Sequence, residues 1–167
     1  LVPDYKYHKL LLKILQAQKS GGRWLLKAPE HQIHLEALME VYPDANIIQT
    51  HRDPIVCMAS TASLLEALYL VRSNKVFDTL QFENIVLAQA TAERLSKVMN
   101  QRESKIIDEK AIFDSRYQDL LTDPVNAIER IYNYFGIDLS LEMRAKILDY
   151  LRKKPQHRDG EHLYPVG

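Results

Sequence analysis

The sequence predicts an α/β domain with a short parallel sheet flanked by helices, and three observations carry that expectation. Short apolar runs of strand type at 23–27, 46–50 and 111–117 alternate with longer stretches in which apolar residues recur at helical spacing. A proline suited to the first turn of a helix stands close behind two of those runs, at Pro29 and Pro54. Strand, helix and strand joined this tightly make a parallel crossover, because parallel neighbours need a helix to bring the chain back. With 167 residues, 46% of them hydrophobic and 26% charged, the chain has the length and composition of one globular domain over 1–167.

The elements follow in order. Tyr7, Leu11, Ile14 and Leu15 mark a helix over 5–18, stopped by Lys19-Ser20-Gly21-Gly22. Arg23-Trp24-Leu25-Leu26-Lys27 reads as a buried strand. The helix opened by Pro29 carries Leu35, Leu38, Met39 and Tyr42 inward, and Tyr42-Pro43-Asp44-Ala45 turns into a second strand at 46–50. Asp53-Pro54 is an N-cap followed by proline and opens a helix to about Arg72. A further helix is expected from Asp78 to Gln101, and a third strand at 111–117. Asp123-Pro124 repeats the cap signal for a helix closed by Gly136, and the last helix runs from Leu141 to Arg152. The tail to Gly167 reads as polar loop.

Twenty-two basic and twenty-two acidic residues cancel, which excludes nucleic-acid binding by bulk charge and leaves a local basic site open. One cysteine, Cys57, excludes an internal disulfide framework; it reads as a small buried hydrophobe and fits a reducing compartment, so a cytoplasmic location is expected. No apolar run approaches the roughly 18 residues of a membrane span, so no membrane segment is expected. Leu1-Val-Pro-Asp-Tyr lacks the basic and apolar parts of a secretory signal, and no Met precedes it, as in a processed or truncated piece.

Lys27-Ala28-Pro29 and Arg52-Asp53-Pro54 share one arrangement, a cation at a strand's carboxyl end just before a helix-starting proline. Ligands of open α/β sheets bind outside those strand ends, and helix N-termini favour anions. The pair therefore reads either as a phosphate or sulfate site or as ordinary strand-end charges in water. His31 and His34 form an HxxH pair with no evident third metal ligand. The simpler reading makes them the wet end of the stripe headed by Leu35. His31, nearer the strand end, also fits a general base, since imidazole titrates near physiological pH. Ser60 and Ser63 read as ordinary helix serines. Arg152-Lys153-Lys154 with His157 and Arg158 is a basic cluster, either a solvated helix end or a flap over an anion.

The ordered set Trp-Leu-Leu-Lys-Ala-Pro-Glu-His from Trp24, Tyr-Pro-Asp-Ala-Asn-Ile-Ile-Gln-Thr-His-Arg-Asp-Pro from Tyr42, and Arg116-Tyr117-Gln118-Asp119-Leu120-Leu121-Thr122-Asp123-Pro124 resembles the bacterial-type sulfotransferase family. Tyr132 to Gly136 and the His-Arg-Asp-Gly-Glu-His tail extend the resemblance over about residues 23–165. It implies a partial P-loop-NTPase-like sulfotransferase fold and transfer of a sulfuryl group from 3′-phosphoadenosine 5′-phosphosulfate (PAPS) to an acceptor hydroxyl or amine, with no metal. Carried over by position, Arg52 and Ser60 hold the 3′-phosphate, Tyr117 contacts the adenosine phosphate and Arg158 belongs to the flap. On the acceptor side, His31 is the base and Lys27 the cation near the transferring group. The family's Gly-rich "PRSGTT" loop, which cradles the phosphosulfate, has no counterpart in the sequence. The expectation is therefore the C-terminal portion of such an enzyme, inactive alone. Two other readings stand beside it: a non-catalytic helical module binding a protein partner, and a nucleotide kinase. The kinase requires a phosphate loop and magnesium ligands that the sequence does not show.

Overall fold

The computed structural model describes residues 1–18, 21–75, 77, 78, 82 and 88–154. The chain forms two compact units, Leu1–Ile47 with Glu93–Ile112, and Ile48–Ala92 with Phe113–Gly167.

In the first unit, α1 spans Val2–Ala17. A 3₁₀ turn over Pro29–His34 leads directly into α2, Leu35–Val41. Helix α4, Ala88–Glu103, contributes its part from Glu93 onward. The core gathers Leu35, Ile107 and Ile112, with Met39 and Ile47 packed on it; Leu35 is 2% exposed. The junction from 3₁₀ turn to α2 has no capping side chain of its own. Buried Gln101 of α4 caps it instead: its Oε1 accepts from the Leu35 amide at 2.8 Å, and its Nε2 donates to the Gln32 and Lys97 carbonyls at 3.2 Å each. A buried amide group left without partners would oppose folding, so these bonds hold the turn where it is.

β1, Ile47–His51, and β2, Ile112–Arg116, form a parallel two-stranded sheet, and all but the first residue of each strand belong to the second unit. Helix α3, Pro54–Arg72, opens where the Asp-Pro signal predicts: the Asp53 carboxylate accepts from the Ile55 and Val56 amides at 2.8 and 3.4 Å. After β2 come α5 (Tyr117–Thr122), α6 (Pro124–Tyr134) and α7 (Leu141–Lys153). Asp123 caps α6 through the Asn126 amide at 3.0 Å, and Ser140 caps α7 through that of Met143 at 3.1 Å. Gly136, at φ +61°, takes the left-handed turn that ends α6, letting the Ile137 amide reach back to the Tyr132 carbonyl. Phe113 of β2 packs edge-on against Tyr134 at 5.2 Å.

Four expectations are corrected. Residues 23–27 form no strand: no described strand pairs with them, and Leu25 is 88% exposed. A strand needs a neighbour to satisfy its amides and carbonyls, so apolarity alone does not make one. Of the helix expected from Asp78 to Gln101, the described residues show Ala88–Glu103 as helical, while Phe77 and Asp78 lie in irregular backbone. Cys57 is exposed rather than buried. Finally, α3 is long and apolar enough to cross a membrane by length and composition, with a mean hydropathy of 1.6 over 18 residues. Scattered Ser and Thr break the apolar run without bringing that mean below what a span needs.

Candidate functional site

The second unit brings two of the site residues named from the sequence into contact. Arg52 leaves the carboxyl end of β1, and Tyr117 follows the carboxyl end of β2. Because the strands are parallel neighbours, both emerge at the same edge, and the Arg52 guanidinium carbon lies 4.5 Å from the Tyr117 ring centroid. One residue before Arg52, His51 Nε2 meets the Asp114 carboxylate at 2.5 Å, joining the two strands near these ends. Among the described residues no carboxylate pairs with Arg52, so its full charge is presented at the sheet edge. Ser60 is half-buried two turns into α3, on the face that runs back toward Asp53. The first amides of α3 are already taken by Asp53, so an anion at this edge depends on Arg52 rather than on open helix amides.

The first unit holds His31. Its Nδ1 lies 2.8 Å from the Tyr5 hydroxyl of α1. In the neutral ring, either Tyr5 donates to Nδ1 and the proton sits on Nε2, or Nδ1–H donates to Tyr5 and Nε2 keeps its lone pair. Burial, and next the proximity of His8, hold the His31 imidazole below the ordinary histidine value. His8 is itself bonded through Nδ1 to the Tyr42 hydroxyl at 2.7 Å. Burial of Tyr5, assisted by the charge of Glu30, raises its phenol and keeps it protonated. Arg94 of α4 pairs with Glu30 in the turn itself. His31 is thereby a neutral imidazole on a turn pinned from α1 and α4.

The remaining candidates are not joined to these. Lys27 is exposed, in the unpaired stretch before Pro29, so the strand-end arrangement expected for both cations exists for Arg52 alone. His34 shares the turn with His31 and is likewise held low by burial, then by Lys97. No three His, Cys, Asp or Glu converge as a metal site among the described residues. Arg158 lies outside the described residues.

Sequence reasoning missed Tyr5, Gln101 and the His51–Asp114 pair. Tyr5 and His31 are 26 positions apart and Leu35 and Gln101 are 66 apart, distances over which no local pattern speaks. His51 stands directly before Arg52-Asp53-Pro54, yet only the adjacent strand reveals its partner.

The profile described as the sulfotransferase family matches residues 2–140. The chain is 33% identical over 115 residues to the omega-hydroxy-beta-dihydromenaquinone-9 sulfotransferase Stf3 of Mycobacterium bovis, and equally to that of Mycobacterium tuberculosis strain CDC 1551. Each alignment covers 68% of this chain and 28% of the relative, so the chain spans under a third of their length. The crystal structure of sulfotransferase STF9 from Mycobacterium avium superposes with a TM-score of 0.78 at 29% identity, covering 96% of this chain and 40% of that one. That of STF1 from Mycobacterium tuberculosis H37Rv gives 0.55 at 33% identity, over 77% and 34%.

Proposed function

The chain belongs to the sulfotransferase family, and from that membership we propose that it serves transfer of a sulfuryl group from PAPS to an acceptor hydroxyl, supplying the side of the donor site that grips the 3′-phosphate. The observation that carries this reading is the Arg52–Tyr117 pair at the shared edge of β1 and β2. Arg52 offers a planar fork of donors matched to phosphate oxygens, and the Ser60 hydroxyl adds a neutral donor. The curated relatives' substrate is a hydroxylated dihydromenaquinone, which agrees in class with a hydroxyl acceptor.

The reaction is an in-line displacement at sulfur. The acceptor oxygen forms a bond to sulfur as the bond from sulfur to the bridging phosphate oxygen breaks, releasing adenosine 3′,5′-bisphosphate. The acceptor proton passes to His31 Nε2, which requires the tautomer in which Nδ1–H donates to Tyr5. Lys27 is the cation for charge developing on the transferring group. Positioning and charge stabilisation dominate such transfers, by analogy with phosphoryl transfer. Turnover needs a phosphosulfate-binding loop in addition to these residues.

A thermal-denaturation series with adenosine 3′,5′-bisphosphate tests the reading. Ligand at one hundred times its dissociation constant stabilises the wild-type chain by about 2.7 kcal/mol, and Arg52→Ala at the same concentration gains much less. Equal stabilisation of both, or of neither, contradicts it. A purely helical partner-binding module predicts no nucleotide response in either.

A further inference from the structure

We propose that Tyr117 acts on the nucleotide phosphate through Arg52: its ring face sets the guanidinium, and its hydroxyl is not the working group. This rests on the nucleotide reading above and names how that site is held in shape.

A guanidinium has two usable surfaces, a flat face and an edge that carries its five N–H donors. A carboxylate partner takes the edge and cancels the charge. An aromatic ring takes the face and leaves the donors directed outward. Arg52 has a ring as its partner, its Cζ 4.5 Å from the Tyr117 centroid and within the range of cation–π attraction, and in this proposal the guanidinium meets that ring by its face. The long side chain is thereby ordered before a ligand arrives, and the ligand loses less freedom of its partner on binding. Acidic groups stand close by, yet each is engaged elsewhere. Asp53 accepts from the first amides of α3, and Asp114 is held by His51. The His51–Asp114 contact also explains why the ring finds the guanidinium. It ties β1 to β2 one residue before Arg52 and three before Tyr117, so the two side chains leave adjacent, registered strand ends. Tyr117 is therefore a positioning residue, and His51 with Asp114 supports it.

The test follows the Arg52 δ-methylene protons by NMR in the labelled chain, alongside titration with adenosine 3′,5′-bisphosphate. In the wild type these protons lie upfield, shifted by the ring current. Tyr117→Phe keeps both the shift and the affinity to within about twofold, while Tyr117→Leu loses the shift and weakens binding about fivefold. An affinity loss in Tyr117→Phe equal to that in Tyr117→Leu makes the hydroxyl the working group and overturns the proposal. So does an unshifted Arg52 in the wild type, a result that stands even where Tyr117→Leu fails to fold. A wild type that shows the shift and takes up no bisphosphate contradicts the nucleotide reading while leaving the ring–guanidinium pair intact.

Discussion

His31 is neutral at physiological pH for reasons that lie outside its own turn: burial first, then the neighbouring His8. His34 is held low in the same sense. For both, the unfolded chain binds a proton more readily than the folded one, so stability falls as the pH drops from the ordinary histidine value of 6.5 toward the depressed folded values. Below those values the contribution is flat. Denaturant titrations between pH 7.5 and 5 are expected to show this decline, with a shallower slope in His31→Gln; an unchanged slope would remove the burial argument. A base role makes a second demand on the same residue. Tyr5→Phe removes the oxygen that Nδ1–H would bond, so the imidazole loses its fixed tautomer. In an enzyme carrying this chain, His31→Ala is expected to slow sulfuryl transfer by about a hundredfold, and Tyr5→Phe by less, with nucleotide affinity unmoved in both. His31 was legible because Pro29 and the preceding cation drew attention to the turn. Tyr5 was not, because α1 reveals only its own periodicity and not what its polar residues meet.

Among elements, those that open on proline were read well. Asp53-Pro54 and Asp123-Pro124 start α3 and α6 with the carboxylate bonded to first-turn amides, a local arrangement that sequence displays directly. The segment at 23–27 was misread because an apolar run does not disclose whether a partner strand exists. The helix expected from Pro29 opens instead as a 3₁₀ turn and α2 starts only at Leu35; the support of that junction was invisible, since Gln101 reaches it from α4. Gln101→Leu should cost about 1–3 kcal/mol in chemical denaturation, for it leaves the Leu35 amide and Gln32 carbonyl without partners; a loss below about 0.5 kcal/mol would mean that the turn holds itself. Helix α3 makes the opposite point. None of its residues is buried, and Leu64 and Leu68 are about half exposed. Large exposed apolar faces promote association. Light scattering should accordingly show concentration-dependent association of the chain, reduced in the pair Leu64→Lys and Leu68→Lys; identical behaviour of variant and wild type would contradict that role for α3.

At the scale of the whole chain, the candidate residues divide between the two units. Arg52, Ser60 and Tyr117 belong to the second, Lys27 and His31 to the first. The family was legible from an ordered set of short motifs because each motif marks the edge of an element, and edges are where local chemistry is densest. How many strands pair was not, because pairing is a long-range property. The proposed function turns on the edge shared by β1 and β2, where Arg52 would grip a nucleotide's 3′-phosphate. Its most direct measurement is a calorimetric cross between protein and ligand: wild type and Arg52→Ala, each titrated with adenosine 3′,5′-bisphosphate and with adenosine 5′-monophosphate. The prediction is that removing the guanidinium weakens the bisphosphate at least about tenfold, as expected for a lost charge-assisted contact, and leaves the weaker monophosphate unchanged. Equal losses for the two ligands, or no loss for either, would contradict it.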